Sequence, residues 1–135
     1  GYFNNDLIPV IKWFNQVLEK ETELSASDCM LTYALFSTYR LKGLSCEERN
    51  LNNLKNVLKA CAEDLNEATP FKEETFCSFY SGMEMMNPFE LQYPEERHQF
   101  FEKFPSCKIE SIAEFKNKIS IKDVSLAIEK AQNLK

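Results

Sequence analysis

Between Ser25 and Gly43 the chain reads Ser-Ala-Ser-Asp-Cys-Met-Leu-Thr-Tyr-Ala-Leu-Phe-Ser-Thr-Tyr-Arg-Leu-Lys-Gly, apolar on almost every side of a helix. Leu31, Leu35 and Phe36 mark one face, and Met30, Tyr33 and Ala34 mark another. Such a helix survives in water only where neighbours cover it all round. Ser25 supplies an N-cap, and Asp28, three residues on, can reach back to the Ser25 amide. Gly43 suits the left-handed residue that ends a helix, with Arg40 and Lys42 near the negative end of its dipole. Thr32, Ser37, Thr38 and Arg40 interrupt the run, which falls short of the ~20 apolar residues of a membrane span. The segment therefore predicts a buried central helix over about 26–42.

The rest of the chain fits that frame. Its 135 residues make one domain by length, and 3 Gly with 5 Pro offer little turn chemistry for a many-stranded sheet. The expectation is all-α: a compact bundle of about six or seven helices around the central one. Leu7, Val10, Ile11, Phe14, Val17 and Leu18 stripe a helix over about 7–20, with Asp6 as its cap and Pro9 in its first turn. Ser45-Cys46-Glu47-Glu48 is a capping box opening a helix to about Leu65, striped by Leu51, Leu54, Leu58, Cys61 and Leu65, with Val57 alongside. Further helices are expected over 71–81, 94–104, 109–118 and 121–134, with a helical turn near 88–92. Ser120-Ile121-Lys122-Asp123 caps the last of them, and Ile121, Val124, Ala127, Ile128, Ala131 and Leu134 form its stripe. The chain begins with Gly1 rather than Met, and it reads as a domain that a longer protein could contain.

The five cysteines are Cys29, Cys46, Cys61, Cys77 and Cys107. The number is odd and no two form a Cys-x-x-Cys, unlike a secreted disulfide framework. They are expected to be reduced and mostly buried, in an intracellular protein of the cytoplasm or nucleus. The net charge of −5 is uneven: residues 1–101 carry 16 acidic and 9 basic side chains, residues 102–135 carry 5 and 7. An acidic body with lysines scattered among acids disfavours a nucleic-acid partner, which demands concentrated Lys and Arg.

Chemistry finds little to work with. Glu47-Glu48, Glu73-Glu74 and Glu95-Glu96 are adjacent on helices, so their carboxylates diverge instead of sharing a proton, and each pair suits a helix N-terminus. His98, the single histidine, stands in Glu-Glu-Arg-His-Gln with no orienting partner for a triad and no spacing for zinc. No phosphate-binding glycine motif occurs. The sequence thus predicts no enzyme, no metal and no cofactor.

What stands out is aromatic and sulfur density in the later half of the chain. Met83, Met85, Met86, Phe89 and Tyr93 fall in an irregular connection, where side chains point outward more often. Exposed Met and aromatic groups on a rigid frame make an adaptable apolar surface. These five, with Trp13 at the edge of the first stripe, are the expected contacts for another protein's segment or helix, as in an adaptor or scaffold. A carrier with an apolar small molecule in the bundle interior is the alternative.

Overall fold

The structure, a computed structural model, describes residues 8–40, 51–65 and 95–134. They form six α-helices and one 3-10 turn, with no strand among them: α1 (Ile8–Lys20), α2 (Ala26–Arg40), α3 (Leu51–Leu65), α4 (Glu95–Lys103), the turn Pro105–Cys107, α5 (Ile112–Lys118) and α6 (Ile121–Asn133). The fold is an all-α bundle. The Asp6 cap, Gly43, the Ser45–Glu48 box and the helices expected over 71–81 and 88–92 lie outside the described residues.

The central helix is enclosed as expected. Every side chain from Cys29 to Ser37 is buried, including both apolar faces and the hydroxyls of Thr32 and Ser37. Thr32 Oγ1 donates to the Asp28 carbonyl one turn back, so its burial leaves no donor orphaned. The helices α2, α3 and α6 pack pairwise against one another. From α3 the stripe Leu54, Leu58 and Cys61 enters the core, and from α6 Val124, Ala127 and Ala131 do so. α1 contributes Val10, Ile11, Phe14 and Val17, the stripe expected of it. Phe14 meets Phe36 edge-on with centroids 5.2 Å apart, and both meet Phe100 of α4, at 5.9 and 6.3 Å. Such ring pairs add about 0.5–1.5 kcal/mol each beyond their buried area. This aromatic cluster joins α1, α2 and α4.

Three expectations need correction. The thiols of Cys29 and Cys107 are not reduced: they form a disulfide across 78 residues, with Cα atoms 5.5 Å apart. Closing a loop of that length restricts the unfolded chain by about 4–5 kcal/mol in the chain-entropy account. Cys61 is free and buried, and Cys46 and Cys77 lie outside the described residues. Secondly, α5 starts at Ile112, not 109, because the Ser111 side chain caps it by accepting from the Glu114 amide at 3.2 Å. Ile109, freed from the helix, is buried in the preceding loop, and its N–H donates to the Tyr33 hydroxyl at 3.2 Å. Thirdly, Ile121 opens α6 but remains 41% exposed, as does Leu126 at 44%, so the apolar stripe of α6 begins at Val124. The Ser120–Asp123 capping box itself forms in full.

Candidate functional site

Of the six residues expected to contact a partner, the described residues include Trp13 alone. Met83, Met85, Met86, Phe89 and Tyr93 lie outside them. Trp13 is half-buried on α1 and packs against the core. Lys130 of α6 holds its ammonium 5.1 Å from the centre of the indole face, within cation–π range. The same ammonium pairs with the Asp28 carboxylate in the first turn of α2. Asp28 was expected to return to the Ser25 amide, completing a capping box. Instead Ser25 Oγ accepts from the Asp28 amide at 3.2 Å while the carboxylate turns to Lys130. Trp13, Asp28 and Lys130 thus tie α1, α2 and α6 together at one edge of the bundle.

A second constellation surrounds the disulfide. Cys29 and Tyr33 stand one turn apart on α2, and both grip the turn that follows α4. Cys29 does so through its bond to Cys107. Tyr33 does so through its hydroxyl, which donates to the Cys107 carbonyl at 2.7 Å and accepts from the Ile109 amide. Beside this clamp lies a cleft of about 290 Å³, lined by Leu24, Ala26, Cys29, Ser106, Cys107, Ile109, Lys118 and Ile119. Sequence reading offers no sign of it, because its walls come from segments some 80 residues apart that only the fold brings together.

A third lies in α3. Cys61 and Asp64 are one turn apart and both buried, and Asp64 Oδ2 has no hydrogen-bond partner among the described residues. Burial pushes the Cys61 thiol well above its ordinary range, and the Asp64 charge adds to the shift. A thiol held protonated is a poor nucleophile and a poor metal ligand.

His98 faces solvent, with Nε2 3.4 Å from the Glu102 carboxylate one turn along α4. Helix α4 begins at Glu95. Among the described residues no three His, Cys, Asp or Glu side chains gather into a group able to hold a metal. No helix among them is long and apolar enough to cross a membrane.

The geometry defines a class, an all-α bundle with a covalently clamped turn. Beyond that class, no family model, curated protein or solved structure matches the chain.

Proposed function

We propose that this protein is a non-catalytic helical module that binds a segment or helix of another protein through Met83, Met85, Met86, Phe89, Tyr93 and Trp13. The observation that carries the reading is the run Met85-Met86-Asn87-Pro88-Phe89, which concentrates adaptable sulfur and aromatic surface in a stretch broken by proline. Substituting Met86 and Phe89 to Ser should abolish capture of the partner while leaving thermal unfolding nearly unchanged. A large fall in Tm would make those side chains core and overturn the reading.

The same module is proposed to work in an oxidising compartment. An intracellular location was expected on the ground that the cysteines were reduced, and the Cys29–Cys107 bond removes that ground. Stable structural disulfides belong to secretory and extracellular settings. Intact mass of the unfolded protein after alkylation without reductant tests this: at least two cysteines should escape labelling. Labelling of all five under unfolding conditions would contradict it.

A further inference from the structure

The cleft beside the disulfide supports an inference independent of the partner-binding reading. We propose that it binds a small anionic amphiphile, a medium-chain fatty acid, with the chain in the cleft and the carboxylate on Lys118.

Most of the lining is apolar: Leu24 and Ala26 at the entry to α2, Ile109 in the loop and Ile119 after α5, together with the paired Cys29 and Cys107. Among the described residues of the lining, Lys118 is the single charged one, and no acid accompanies it there. Its ammonium spends one donor on the Lys108 carbonyl, at 3.3 Å. An ammonium has three donors, so two remain for an incoming carboxylate. The exposed Ser106 hydroxyl stands in the same lining as a further polar group. Nearby Lys108, which does not line the cleft, is paired with Glu110 at 3.2 Å.

Size narrows the occupant. Small-molecule sites run from about 300 to 1,000 Å³, and this one, at about 290 Å³, falls just below that range. A short single chain fits where a phospholipid or a folded peptide does not. Shape is also fixed in advance. The disulfide and the two Tyr33 hydrogen bonds hold the α2 wall against the turn wall, so little ordering is demanded on binding.

The test is a two-dimensional NMR titration of the oxidised full chain with decanoate, decanol and decyltrimethylammonium, each below its aggregation limit. Decanoate should bind saturably, with shifts concentrated at Leu24, Ala26, Ile109 and Ile119. Decanol should bind roughly five- to tenfold more weakly, and the cationic chain more weakly still. Lys118 is exposed, so Lys118→Glu should fold normally and bring decanoate down to the affinity of decanol. Equal binding of all three chains, an unchanged affinity in Lys118→Glu, shifts spread over the surface, or no saturable binding would each overturn the proposal.

Discussion

At the scale of single residues, the most informative side chains are polar ones inside an apolar bundle. Tyr33 satisfies two backbone groups of the turn with one hydroxyl, and Cys107 and Ile109, which carry those groups, are buried. Tyr33→Phe strands both, and each unsatisfied buried group costs about 1–3 kcal/mol. Chemical denaturation should show a loss of roughly 2–4 kcal/mol; a loss below ~0.5 kcal/mol would mean the hydroxyl is not engaged. Lys130 satisfies Asp28 while covering Trp13, so Lys130→Ala leaves a mostly buried carboxylate unpaired. A destabilisation of about 1–2 kcal/mol is expected, and it should shrink in Asp28→Asn/Lys130→Ala, where no charge is left behind. Cys61 sets a pH dependence. Its thiol is held protonated in the fold, whereas the unfolded thiol ionises near its ordinary 9.0. The raised folded value means its contribution is whole below pH 9 and is lost as pH rises beyond it, by about 1.4 kcal/mol per pH unit. The difference in stability between the native chain and Cys61→Ala should therefore narrow from pH 9 upward. A difference constant from pH 7 to 11 would contradict the assigned burial.

At the scale of elements, local signals and non-local ones part company. Caps and stripes are local, and the sequence carries them openly. Ser120 and Asp123 form the box their spacing implies, Ser25 caps α2, and Leu54, Leu58 and Cys61 point inward as their period requires. Ser120→Ala should accordingly cost about 1 kcal/mol, measurable as a lowered Tm. Where reading fails, it fails for physical reasons. Ile109 and Ile112 suggest one helix, yet Ser111 with Glu114 competes as a start signal and wins, since a capped terminus beats an uncapped one. Ile121 shares a face with Val124 and Ile128, but periodicity says which residues align and not how far the covering neighbours extend. The disulfide is the largest omission. Pairing across 78 residues depends on where the fold brings α2 and the turn, and an odd cysteine count hid it. Of the candidate contacts, Trp13 was legible as a stripe-edge residue, whereas its capture by Lys130 required knowing that α6 lies beside α1 and α2.

At the scale of the molecule, α2 is the element against which the others are assembled, and the Cys29–Cys107 bond fastens the chain's C-terminal part to it. Reduction should cost about 4–5 kcal/mol, near a third to a half or more of a typical domain's stability. Native-state hydrogen exchange, read amide by amide with the disulfide intact, tests this organisation most directly. The amides of Met30 to Ser37 should exchange only through global unfolding, more slowly than those of α1 and α5, and reduction should speed them about a thousandfold or more. Exchange of those amides by local opening, faster than in the outer helices and indifferent to reduction, would contradict the enclosure of α2 on which the account is built.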